Sequence, residues 1–126
     1  MTHEDRARSV YGLLVLTAWA DGLIHPNEIL VEHAILDELP DLKALEDKRG
    51  IANDAKAALD DRGLDAAVEE MAAPLAERED RELAFSCCVR ILEADHIIAP
   101  AEFRVMRILR RLWEFTQDDV NRLISR

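Results

Sequence analysis

The sequence predicts an all-α fold: a single-domain helical bundle of about seven or eight helices, containing two pseudo-two-fold-related helix–loop–helix hairpins over residues 1–126. Three observations carry this expectation. Apolar residues recur at spacings of three and four along most of the chain, and period-two alternation is almost absent. Most of the four Gly and four Pro fall between those stretches, where helices stop and start. A segment near residue 20 returns 74 residues later. At 126 residues, 49% apolar and 33% charged, the chain is long enough for one self-sufficient core and too apolar for intrinsic disorder.

Thr2 followed by Asp5 is an N-terminal capping signature, and Val10, Leu13, Leu14, Thr17 and Ala18 form the apolar stripe of a first helix ending near Asp21-Gly22. Pro26 suits the first turn of a second helix, with Ile29, Leu30, Ala34, Ile35 and Leu39 as its buried face and Pro40 as its end. Short helices are predicted over 41–48, 51–61 and 64–73, punctuated by Gly50, Gly63 and Pro74. Ile51, Ala55, Ala58 and Leu59 give the middle a thin core face, as do Leu64, Val68 and Met71. A longer helix begins around Arg78 and turns Leu83, Cys87, Ile91 and Leu92 inward. Pro100 starts another, with Phe103, Met106, Leu109 and Trp113 on one side. Thr116 and Asp119 repeat the capping signature before a last helix bearing Val120, Leu123 and Ile124.

Net charge is −10, which disfavours nucleic acid and anionic lipid and favours cations or basic protein surfaces. The charge is uneven. Asp37 to Asp80 holds 14 acids against 6 bases, whereas Arg104 to Arg126 holds 6 bases against 3 acids. Arg104, Arg107, Arg110 and Arg111 form a basic stripe that either faces solvent and the acidic middle or is an interaction patch. No apolar run approaches a membrane span, and the polar start Met-Thr-His-Glu-Asp-Arg does not read as a signal peptide, so a cytoplasmic protein is expected. The adjacent Cys87 and Cys88 have no histidine at zinc-ligand spacing and read as small core hydrophobes.

The repeat aligns Ala20-Asp21-Gly22-Leu23-Ile24-His25-Pro26-Asn27-Glu28 with Ala94-Asp95-His96-Ile97-Ile98-Ala99-Pro100-Ala101-Glu102. Downstream, Val31 matches Val105 and Ile35 matches Leu109. One hairpin cannot bury its own apolar face, so the two copies are expected to pack together. Asp-Gly-x5-Glu is the back half of an EF-hand calcium loop, but Thr17 and Trp19 (Ile91 and Glu93 in the second copy) stand where the first oxygen ligands belong. That excludes a full calcium cage from one loop. What remains is one Asp and one Glu on either side of each bend.

Glu28 and Glu102 fall at the third position of Pro-started helices, where a carboxylate caps the helix and meets its dipole favourably, worth about 0.3–1 kcal/mol. Asp21 and Asp95, by contrast, sit close to a helix C-terminus, which disfavours a carboxylate. Either each accepts hydrogen bonds from loop N–H groups in an Asx-type turn, or a cation lies between Asp and Glu.

These paired Ala-Asp-Gly-x-Ile-x-x-x-Glu and Ala-Asp-x-x-Ile-x-x-x-Glu hairpins resemble the tellurite-resistance TerB family, and similar hairpins occur in the N-terminal domain of DjlA-type co-chaperones. The resemblance runs from about Val10 to Ile124. It implies a helical bundle with pseudo-two-fold symmetry, an acidic surface at the loops, a link to tellurite and chemical stress, and divalent-cation binding. Carried over by position, it marks Asp21, Glu28, Asp95 and Glu102 as candidate metal ligands; His96 departs from the glycine of the first loop. Calcium or magnesium suits such carboxylates better than zinc, for which His25 and His96 leave room.

Two functions are open at the level of sequence. One is a non-enzymatic, cation-linked binding domain acting with protein partners in tellurite, metal or envelope stress. The other is a structural adaptor in which the Asp/Glu pairs only shape turns. A homodimer is compatible with either. Catalysis has thin support: His33 and Asp37 share a helix face and Cys88 is a thiol, but no phosphate loop, serine elbow or His-Glu-x-x-His motif is present.

Overall fold

The computed structural model describes residues 3–20, 26–93 and 100–124. They form α1 (His3–Trp19), α2 (Pro26–Glu38), α3 (Pro40–Lys43), α4 (Lys48–Ala72), α5 (Arg78–Glu93), α6 (Pro100–Leu112) and α7 (Gln117–Ile124), with no strand among the described residues. No helix there is long and apolar enough to cross a membrane.

α1 is the axis of the bundle. Ala7, Val10, Leu13, Leu14, Leu16 and Thr17 are fully buried, and Tyr11, Gly12 and Val15 complete the circuit of the helix. A helix buried on every side needs neighbours on every side, and α1 packs against α3, α4, α5 and α6. Gly12 lets α4 approach closely: a Cβ there would come within 2.6 Å of the Met71 sulfur. The hydroxyl of the fully buried Thr17 donates to the Leu13 carbonyl at 2.8 Å, so it is not buried unsatisfied.

Two contacts set the direction of α5 against α1. Arg6 pairs with the buried Asp80 near the helix starts, at 3.2 Å, and Thr17 hydrogen-bonds Cys88 near their ends. The helices therefore run side by side in the same sense. Arg6 and Asp80 are themselves separated by the 74-residue repeat offset. The second helix of each hairpin packs on the first helix of the other, α2 on α5 and α6 on α1. Such crossed packing is what exchange of the two hairpins by a rotation about the shared α1–α5 direction requires.

The middle differs from the sequence expectation in its divisions. The helix expected over 41–48 is one turn, α3, because Asp47 caps a new helix by accepting from the Gly50 N–H at 3.1 Å. Lys48 Nζ donates to the Lys43 and Leu45 carbonyls, occupying groups left free at the break. The two segments expected on either side of Gly63 are the two arms of α4, joined where Gly63 adopts φ 85°, ψ 169°. Pro40 ends α2 as expected but also opens α3. The expected cap at Thr2 lies outside the described residues. At the other end, Thr116 Oγ1 accepts from the Asp119 N–H and the Asp119 carboxylate accepts from the Thr116 N–H, the predicted reciprocal cap of α7.

Ile29 and Leu30, expected on the buried face of α2, are instead substantially exposed, and Phe103 and Ile124, on the apolar sides of α6 and α7, are exposed too. Ala34 is exposed as well. α2 has neighbours in α5 and α3, and it buries a narrower stripe of Val31, Ile35, Leu36 and Leu39. The apolar period was right, and its width was overestimated.

Candidate functional site

The described backbone brings the helix ends that flank residues 21–25 and 94–99 to one end of the bundle. α1 and α5 run in parallel, so their last residues, Trp19 and Glu93, lie at the same end, and α2 and α6 return from there beginning at Pro26 and Pro100. Of the four candidate ligands, Asp21 and Asp95 lie outside the described residues. Glu28 and Glu102 occupy the third position of α2 and α6, and their side chains lie outside the described part. His25 and His96 also lie outside it. Among the described residues, no group of three or more His, Cys, Asp or Glu is placed to hold a metal ion.

Between α1, α2 and α4 is a polar cluster that sequence reasoning missed. Glu32 of α2 is half-buried and hydrogen-bonds Tyr11 of α1, closing the first hairpin, and Lys56 of α4 lies 4.2 Å from the ring centre of Trp19. Burial pushes the Glu32 carboxyl up from its ordinary value, against the opposing pull of the Tyr11 hydrogen bond and the charges of His33 and Lys56. Burial together with the Glu32 charge pushes the Tyr11 hydroxyl up to about 12. The only signal in the sequence was a carboxylate between Val31 and Ile35, inside an apolar stripe.

At the equivalent place in the second hairpin, 74 residues on, the chemistry changes. Phe85 replaces Tyr11, Met106 replaces Glu32 and Glu93 replaces Trp19. A largely apolar groove of about 340 Å³ opens there between α5, α6 and α7, with Phe103 and Ile124 at its edges and Arg107 and Arg110 beside it.

The arginine stripe of α6 divides in two. Arg104 meets Asp65 at 2.7 Å and Arg111 meets Glu69 at 3.9 Å, so this half faces the acidic arm of α4. Arg107 and Arg110 face the groove. The reading in which the stripe faces the acidic middle thus holds for Arg104 and Arg111.

The residues weighed for catalysis do not assemble. His33 and Asp37 are both exposed, and Asp37 pairs with Lys43 at 3.3 Å. Cys88 is fully buried, and desolvation pushes its thiol up to about 12, far from a reactive thiolate.

The all-helical chain with its crossed, duplicated hairpins matches the family model of tellurite resistance protein TerB over residues 7–125. The chain belongs to the TerB family. No curated protein and no solved structure matches it. In this TerB-family chain the matched span takes in both hairpins, both loops and the α5–α6–α7 groove.

Proposed function

We propose that this TerB-family chain is a non-enzymatic binding domain that takes a divalent cation at its paired Asp-x-x-Ile-x-x-x-Glu loops and acts with protein partners in tellurite, metal or envelope stress. The observation that carries the reading is the convergence of the two loop-bearing helix ends: Trp19 and Glu93 end parallel helices at one end of the bundle, and the acid-bearing segments that follow are copies of each other. Asp21, Glu28, Asp95 and Glu102 would supply hard oxygen ligands, which suits calcium or magnesium, with water and backbone oxygens completing the coordination. The buried Cys88 thiol and the unassembled His33–Asp37 pair are in keeping with a binding rather than a catalytic role.

The adaptor reading has its own support. Third-position glutamates after Pro26 and Pro100 stand where a carboxylate caps a helix with no ion present. Thermal melts in calcium, magnesium, zinc or chelator, on wild type and on the Asp21→Asn/Asp95→Asn double variant, separate the two. A cation bound only by the native state at ten times its Kd adds about 1.4 kcal/mol, roughly 4–6 °C here. The cation reading expects that rise in wild type and its loss in the variant, whose asparagines keep the turn acceptors. No rise at millimolar metal leaves the adaptor.

A further inference from the structure

We propose that the groove between α5, α6 and α7 is the docking site for an acidic amphipathic helix of a partner protein. This rests on the partner-binding half of the proposed function and is independent of its cation half. The internal repeat supplies the comparison. In the first hairpin, the equivalent positions are tied together by the Tyr11–Glu32 hydrogen bond, with Lys56 reaching over Trp19. In the second, Phe85, Met106 and Glu93 hold those positions, and the cleft is an apolar groove with α7 as its third wall. The second copy thus puts Phe85 and Met106 where the first has the polar Tyr11–Glu32 tie. Phe103 is 51% exposed and Ile124 46% exposed at the rim, large apolar surface that no described residue covers fully.

Charge selects the occupant. In a chain of net charge −10, Arg107 forms no ion pair with any described residue, and Arg110 donates only to neutral acceptors, the Phe115 carbonyl and the Gln117 side chain. Two guanidinium groups one helical turn apart, against the one carboxylate of Glu93 among the lining residues, beside an apolar trough fit an apolar ridge flanked by carboxylates. Three helical walls suit a helix laid into the groove with anchors at i, i+3 or i+4, and i+7. A second copy of this chain fits less well, because its acid-rich α4 turns Ile51, Ala55, Leu64 and Val68 into its own core.

The test uses two labelled, helix-stapled peptides with the same Leu/Phe ridge, one flanked by Glu and one by Lys, titrated against the full chain by fluorescence anisotropy. The Glu-flanked peptide is expected to bind and the Lys-flanked one not, with affinity falling as salt rises. Arg107→Glu should weaken binding by about fivefold or more, and Phe103→Glu should abolish it. Arg104→Glu makes the same change in net charge on the α4 side and should leave the affinity within about twofold. Far-UV circular dichroism of each variant checks the fold, and both substituted side chains in the groove are already exposed. Equal binding of both peptides, no binding of either, equal losses from Arg104→Glu and Arg107→Glu, or self-association of the chain that buries Phe103 would each overturn the proposal. A metal-dependent melting shift that persists while docking fails would sink this inference and leave the cation reading standing.

Discussion

At the residue scale, Glu32 is the side chain whose surroundings oppose its charge most directly. Burial raises its carboxyl, and Tyr11, His33 and Lys56 only partly offset that. A carboxyl raised in the folded state contributes stability that is fully present below the unfolded value and lost as pH rises through the folded value. Glu32→Gln keeps an acceptor for the Tyr11 hydroxyl and removes the titration. Wild type and variant should therefore be similarly stable below about pH 4, and the variant should become the more stable as pH rises past the ordinary carboxylate range. Urea unfolding across pH measures the gap; a gap that is constant with pH, or opens in the other direction, contradicts the assignment. Cys88 teaches the complementary lesson. Its adjacency to Cys87 invited a chemical reading, and its position on the inner face of α5 removes it from solvent, in line with the reading of both cysteines as small core hydrophobes. Period could place a thiol in the core. It could not reveal that Glu32 points at Tyr11, because that contact joins two helices.

At the scale of elements, Gly63 joins the arms of α4 with φ 85° and ψ 169°, a region open essentially to glycine alone. A Cβ at Gly63 would meet nothing within 4 Å, so the cost of Gly63→Ala is backbone strain without a clash. We expect a loss of about 1–3 kcal/mol in denaturant unfolding, with Gly63→Asn losing a similar amount, because asparagine's tolerance of positive φ is confined mostly to the left-handed helical region. A neutral Gly63→Ala would mean that the joint is not strained. Helix boundaries were legible wherever their signals are local: Pro26, Gly63, Pro74, Pro100, and the Thr116–Asp119 cap. Asp47, which truncates the expected 41–48 helix, was missed because its capping competes with an otherwise continuous helical pattern. Exposure was legible only in part. Periodicity marks Ile29, Leu30 and Phe103 as one face of their helices, but whether a neighbour covers that face is decided by tertiary packing.

At the scale of the whole molecule, the repeat was the most informative feature of the sequence, and what it could not convey was where the copies diverge in use. It located both hairpins and the common offset that Arg6 and Asp80 also obey, but the open groove depends on α7 arriving from outside the repeat. The same arrangement bears on how the chain unfolds. Were the hairpins independent, each would have its own core. Instead α1 touches α3, α4, α5 and α6, and each hairpin's second helix rests on the other's first, so neither can leave without exposing both. Unfolding should be a single cooperative step, as is usual for a domain of this size. The two tryptophans report on opposite parts of it: Trp19 at the end of α1 under Lys56, and Trp113, buried just beyond α6 and packed at 5.9 Å from Phe115. Trp113→Phe leaves Trp19 as the sole fluorophore, and Trp19→Phe leaves Trp113. In each single-tryptophan protein, the denaturation midpoint followed by fluorescence should coincide with that followed by far-UV circular dichroism. A fluorescence transition that precedes the loss of helix in either one would mean that its hairpin unfolds separately, and that the crossed packing does not couple the two copies.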